Sequence, residues 1–286
     1  MNLSRRLLLA AGASLAVPTA ARAQASDRRT LRLQTRVIEV DGRPATRYGV
    51  FQPSGTWGLT LDEGQRLDVR LENALAVPSG LHWHGLNPPW RQDGVPFLSA
   101  PPIPPGGFAD YDFPAVPVGT RWMHSHVGLQ EQNLLAAPLI VREKSAIASG
   151  LQEVVVMFED FSWRSPTAIF EDLRKPRPMA AMPSMPSMPS MGATAPPAGG
   201  MDLNDVTYDA FLANDRTLAD PPVFEVERGA EVRLRLINGA ASTNFWIDLG
   251  AVEGTLIAVD GNPVQPVKGR LFPLAIAQRA DIIVRV

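Results

Sequence analysis

The four histidines of the chain fall into two His-x-His pairs, His82-Trp83-His84 and His124-Ser125-His126. Alternate residues of an extended strand point to the same side, so each pair can aim two imidazoles at one place. Drawing every histidine of a chain into two such pairs is hard to ascribe to core packing or to a solvated surface. Metal ligation is the chemistry they suggest, because neutral imidazole binds zinc, copper, iron and nickel. Four imidazoles do not choose among those metals, and one tetrahedral zinc would satisfy them. The 286 residues contain no cysteine, which excludes disulfides, zinc-thiolate sites, cysteine nucleophiles and thiolate-ligated metal centres built by this chain.

Strands must carry these pairs if the spacing is to have meaning, and the surrounding pattern supplies them. From residue 31 onward the chain reads as short alternating segments, such as 31–37 (LRLQTRV) and 67–71 (LDVRL), separated by turns rich in its 27 prolines and 23 glycines. No amphipathic helix of useful length precedes residue 165. Period-2 patterning with frequent turn signals predicts antiparallel β-sandwiches. Residues 61–73 (LDEGQRLDVRLEN) are echoed by 226–238 (VERGAEVRLRLIN), with Gly64, Arg70, Leu71 and Asn73 opposite Gly229, Arg235, Leu236 and Asn238. Two copies of one sandwich module follow. With a two-residue gap, His82-Trp83-His84 falls opposite Phe245-Trp246-Ile247, so the second copy keeps the tryptophan and loses both imidazoles. Residues 107–111 fall opposite 278–282; the first copy then runs on to about Arg142, whereas the second stops at Val286. The expectation is a C-terminally incomplete second module, and hence a piece of a longer protein.

A formal net charge of −2 removes the electrostatic case for nucleic acid or an anionic membrane as partner. The N-terminus carries Arg5 and Arg6, an apolar run over residues 7–17 and Ala21-Arg22-Ala23. This charged, apolar and cleavable order reads as a twin-arginine signal peptide over residues 1–24, with export to the periplasm or beyond and no membrane span in the mature form. An apolar run of about 11 residues is too short for a bilayer core that needs about 20. Between the modules, residues 176–200 form a Met/Pro-rich stretch, with Met-Pro-Ser repeated between Met182 and Met191. Proline at every third position blocks both helix and ladder, so a flexible insert is expected. Its thioethers suit Cu(I); a biased linker without ligands fits the composition equally well.

The wider motifs single out one metal by resemblance. Residues 81–86 (LHWHGL), 92–96 (QDGVP), 122–126 (WMHSH), 128–132 (GLQEQ) and 138–141 (PLIV) resemble the first domain of the multicopper oxidases, the family of laccases and copper-resistance oxidases. Residues 232–238 (VRLRLIN), 259–261 (VDG) and 278–281 (QRAD) are similar to the family's second domain. The resemblance implies an all-β fold of tandem cupredoxin-like Greek-key β-sandwiches, domain 1 over 30–145 and domain 2 over 150–286. It implies that His82 binds the type 2 copper and that His84, His124 and His126 bind the type 3 pair of a trinuclear copper cluster. It makes Asp93 the acid that guides protons there, although Asp93 before Gly94 also reads as a plain turn residue.

In the family the other four cluster ligands and the type 1 site, with its Cys and His, come from a third domain. The implied partners are therefore O2, a small phenolic reductant or Cu(I), and the missing C-terminal cupredoxin domain. The implied role is copper tolerance, and the chain alone is expected to be inactive as an oxidase. A non-catalytic copper-binding or periplasmic scaffold of the same fold is the competing expectation. Oxidases that complete the cluster between two-domain subunits are a third, weakened because they too need a cysteine on the same polypeptide. Leu134 and Ala137 stand where relatives carry glycines, so the loop beside the site is expected to sit differently.

Overall fold

The structure is a computed structural model that describes residues 28–175 and 206–286. The signal expected over 1–24 and the Met/Pro-rich insert of 176–200 lie outside the described residues. Seven strands build the first half: β1 Arg29–Val40, β2 Arg43–Phe51, β3 Leu59–Asp62, β4 Arg66–Asn73, β5 Phe108–Pro114, β6 Gly119–His124 and β7 Ala136–Arg142. They form one sheet in the order β2-β1-β4-β5 and a second in the order β3-β7-β6. Alternation dictates the packing. In β4, Leu67, Val69 and Leu71 are buried while Arg66, Asp68, Arg70 and Glu72 turn outward, and the inward set meets Leu59, Leu61, Met123, Leu139 and Val141 of the other sheet.

A short helix, α1 Lys144–Ser149, leads to the second half. Its elements are β8 Gln152–Phe161, α2 Pro166–Leu173, β9 Ala210–Ala213, β10 Glu231–Asn238, β11 Phe245–Asp248, β12 Gly254–Val259, β13 Asn262–Gly269, β14 Leu271–Leu274 and β15 Arg279–Arg285. A six-stranded sheet, β13-β12-β15-β10-β8-β9, faces the β11-β14 pair. The sequence echo has a structural counterpart. β4 pairs in parallel with β1 and antiparallel with β5, as β10 does with β8 and β15. Asn73 and Asn238, at the ends of the matched strands, do the same work. Asn73 Nδ2 donates to the carbonyls of Val77 and Ile103 and its Oδ1 accepts from the Leu75 N–H. Asn238 Nδ2 donates to Thr243 and Leu274 and its Oδ1 accepts from the Ala240 N–H.

The tryptophan match does not survive. Trp83 is fully buried, whereas Trp246 is 66% exposed, and it is Phe245 and Ile247 that turn to the second core. A slip of one residue exchanges the faces of a strand, so the alignment through the tryptophans was out of phase with the side-chain alternation.

The two halves share an interface made by the outer faces of β6 and β7, the end of the β1-β2 hairpin and the loop before β7. Trp122, Ala136 and Ile140 pack on Met157 and Ile237, and Ile38, Val40, Ala45 and Leu134 pack on Phe161 and Leu212. A strand covered on both faces loses alternation, which is why every residue of β6 is buried, including Thr120 and Arg121. Charges cross the same interface. Arg235, wholly buried, reaches Glu143 at 2.8 Å, Glu153 at 2.5 Å and Thr120 Oγ1 at 3.0 Å. Burial by itself would raise the Glu143 carboxyl, but hydrogen bonds from Arg233 and Arg235 outweigh it and hold Glu143 down at about 2.

Candidate metal centre

Both histidine pairs lie at the end of β6. His124 is its last residue, and the segment carrying His82 runs antiparallel beside it: the His82 N–H donates to the His124 carbonyl at 2.8 Å and the His124 N–H returns to His82 at 3.2 Å. Extended geometry then sorts the side chains. Trp83 goes into the core, stacks edge-on to Tyr111 and donates from Nε1 to the Gln92 carbonyl. Ser125 turns inward to Gln130, whose Oε1 also accepts from Ser79 Oγ and whose Nε2 donates to the Pro78 carbonyl. The imidazoles on either side of Trp83 and Ser125 point the other way and meet.

Ring centroids of His82 lie 5.7, 5.6 and 5.1 Å from those of His84, His124 and His126. Ligand atoms of His82, His124 and His126 fall within 4.8 Å of one another, and His84 Nδ1 lies 3.2 Å from His124 Nε2. Two nitrogens about 2.0 Å from one tetrahedral ion stand about 3.3 Å apart, so that last pair fits a shared cation as it stands. Burial grades across the group, from His124 at 4% exposed to His126 at the surface. Trp122 stacks flat on His124 with centroids 4.1 Å apart, which fixes the ring plane.

Ring nitrogens facing away from the group have acidic neighbours. His82 Nδ1 lies 3.0 Å from the Asp93 carbonyl and 3.1 Å from its carboxylate. A proton on Nδ1 donates to that carbonyl and leaves Nε2 free for a metal. Asp93 follows a 3-10 turn, Trp90–Gln92, and Gly94 must follow it because a Cβ there would stand 1.6 Å from the Leu81 carbonyl oxygen. Asp93 thus closes a turn and touches His82.

Glu131 was missed by sequence reasoning: its carboxylate lies 3.1 Å from His124 Nδ1, at ion-pair distance but without hydrogen-bond direction. The available signal was an acid inside the 128–132 segment, five residues past His126. The electrostatics favour the neutral ring at His84 and His126. Burial pushes His84 down to about 3, helped by the Arg279 guanidinium and the other imidazoles. His126 is also lowered, by burial first and then by His124 and His82. Neutral imidazoles present the lone pairs a metal needs.

The loop with Leu134 keeps the geometry a glycine would give. Leu134 sits in the left-handed region at φ 62° and buries its side chain between the two halves. Leu134 is thus a strained residue anchored by its own side chain.

An all-β pair of sandwiches with four imidazoles gathered at the end of a buried strand defines a metalloprotein of cupredoxin type. Two family models, both described as multicopper oxidase, match residues 49–146 and 153–286. Copper resistance protein A of Pseudomonas syringae pv. tomato is 31% identical over 86% of this chain and 44% of its own length. Multicopper oxidase MmcO of Mycobacterium tuberculosis is 30% identical over 77% of this chain and 44% of its own length. A crystal structure of a multi-copper oxidase from Pseudomonas thermotolerans superposes with a TM-score of 0.69 at 26% identity, over 90% of this chain and 57% of that one. The chain belongs to the multicopper oxidase family, a family of copper proteins, and spans less than half the length of the curated relatives it matches.

Proposed function

We propose that the chain supplies half of a trinuclear copper cage to an exported oxidase that couples one-electron oxidation of a phenolic reductant or Cu(I) to the four-electron reduction of O2 to water. The observation carrying this is the convergence of all four imidazoles, from two His-x-His segments, at the end of β6. His82 would hold the type 2 copper, and His84, His124 and His126 the type 3 pair. Copper, when bound, supplies one-electron redox chemistry and open positions for O2.

The protein's own part is geometric and protonic. Asp93 orients His82 and holds a carboxylate where a proton can be delivered, while Trp122 and Glu131 set the plane and the outer nitrogen of His124. Burial keeps His84 unprotonated, so it does not have to shed a proton before ligating. The remaining cluster ligands and the type 1 site would come from a further cupredoxin domain, since this chain has neither cysteine nor a fifth histidine. Export rests on the Arg5-Arg6 segment, and copper tolerance on the name of the Pseudomonas syringae relative. Among the described residues no helix is long and apolar enough to cross a membrane.

Copper analysis with electron paramagnetic resonance on the purified chain tests the proposal. Bound copper without a blue type 1 spectrum, lost on His82→Ala with His124→Ala, is expected. A zinc preference or full copper binding by that double variant would overturn it. The chain alone should not oxidise a phenolic dye under air. The absence of cysteine equally favours a copper-holding scaffold, and the same dye assay after adding the missing domain separates the two.

A further inference from the structure

At the interface of the two halves, β8 carries an acid in an apolar strand. Glu159 lies between Met157 and Phe161, which share its face and pack against the first half. It is 1% exposed, and neither carboxylate oxygen has a hydrogen-bond partner. Its neighbour Asp160 shows the contrast: that carboxylate accepts from the Ala241 and Ser242 N–H groups and from Thr243 Oγ1. A carboxylate buried without such donors is costly, and holding a proton removes the cost.

The charges around Glu159 are divided: one cation favours its ionisation and two anions oppose it. Arg36 of β1 is the cation that faces it; it lies beside the Asp215 carboxylate and donates from Nε to the Tyr48 carbonyl, while its buried Nη1 and Nη2 make no hydrogen bond. Asp160 from its own strand and Glu131 from the 3-10 turn Glu131–Asn133 oppose ionisation. Burial first, and these two anions after it, push Glu159 up to about 7 against the pull of Arg36. Glu131 joins the acid to the centre, since it stands beside His124 Nδ1 and its charge reaches Glu159. Trp122, stacked on His124 at the same interface, leaves its buried Nε1 without a partner. Unpartnered buried polar atoms of this kind are places for internal water.

We propose that Glu159 is a buried proton store for the imidazole centre, taking up a proton when positive charge there falls and releasing it when that charge returns. The inference rests on copper being held by the four histidines. Reducing O2 to two waters consumes four electrons and four protons. Glu159 gives one proton by passing from acid to carboxylate, and regains it from solvent at the part-exposed Glu131 edge. The electrons come from the reducing substrate, not from this residue.

Two measurements on the full chain test it. In the metal-free protein labelled with carboxyl-13C glutamate, infrared difference spectra should show a protonated buried carboxylic acid at pH 6 that titrates near neutrality and is missing from Glu159→Gln. Absence of that band at pH 6 in the labelled wild type overturns the proposal, even if the variant fails to fold. In the Cu(II)-loaded chain, anaerobic reduction with ascorbate in weak buffer at pH 7 should take up more protons in the wild type than in Glu159→Gln at equal copper content. Equal uptake sinks the inference alone. Failure of the wild type to bind copper sinks the copper assignment and this inference with it.

Discussion

His82 and His124 are both backed by an acidic residue at Nδ1, but the two supports differ in kind. Asp93 offers its main-chain carbonyl as well as its carboxylate, whereas Glu131 offers a carboxylate only. Removing an outer partner of a ligating histidine typically weakens metal binding about 10–100-fold. Glu131→Ala, which removes a charge beside Nδ1 but no hydrogen bond, should lower copper affinity by up to about tenfold, and Asp93→Ala by less, because the carbonyl survives that change. Competition with a graded chelator measures both, and a larger loss for Asp93→Ala would contradict the geometry. The convergence of the four imidazoles was legible in the sequence, since their i, i+2 spacing is a local property of a strand. Glu131 was not, because its distance to His124 depends on a 3-10 turn that bends residues 131–133 back over β6.

Two turns hold those residues in place, and both depend on a left-handed position. Gly94, at φ 79°, lets the chain pass against the Leu81 carbonyl. Gly94→Ala would force residues 81–82 or 93–94 to move, so it should lower copper content while the two cores still fold; metal analysis beside circular dichroism checks this. Leu134 holds the other turn at a cost of about 1–2 kcal/mol for a non-glycine residue in that region. Its burial against Phe161 and Leu212 offsets this, because emptying a buried leucine site costs about 2–5 kcal/mol. Leu134→Gly should thus destabilise by about 2 kcal/mol in denaturant titration, despite easing the backbone. The sequence showed the replacement but not its sign, because the side chain's neighbours belong to the other half of the molecule. Trp246 makes a related point: matching one conspicuous residue type placed it on the wrong face, where the alternation of Phe245 and Ile247 decides.

The same separation of local from long-range information governs the whole molecule. The β-sandwiches and the repeat were legible because period-2 alternation is written within each strand. The interface was not, since it removes alternation from β6 and hides charges in β8 and β10. Those hidden charges shape how the metal-free chain responds to pH. His84 falls from an ordinary 6.5 to about 3, so between those values the unfolded chain binds the extra proton and stability rises with pH. Glu143, held at about 2 against an ordinary 4.5, adds a rise over its own lower window. Glu159 works in the opposite sense. Raised from 4.5 to about 7, it binds its proton in the folded state over that window, so stability falls as pH rises through it. Between pH 4.5 and 6.5 the His84 gain and the Glu159 loss offset each other, and the wild type should show a flat region there after a climb from acid. Glu159→Gln removes the descending contribution, on the order of 3 kcal/mol for a shift of that size. Its stability should keep rising to about pH 6.5 and lie above the wild type at pH 8. Denaturation midpoints across the range measure both profiles, and superimposable curves would mean that Glu159 is ionised in the fold.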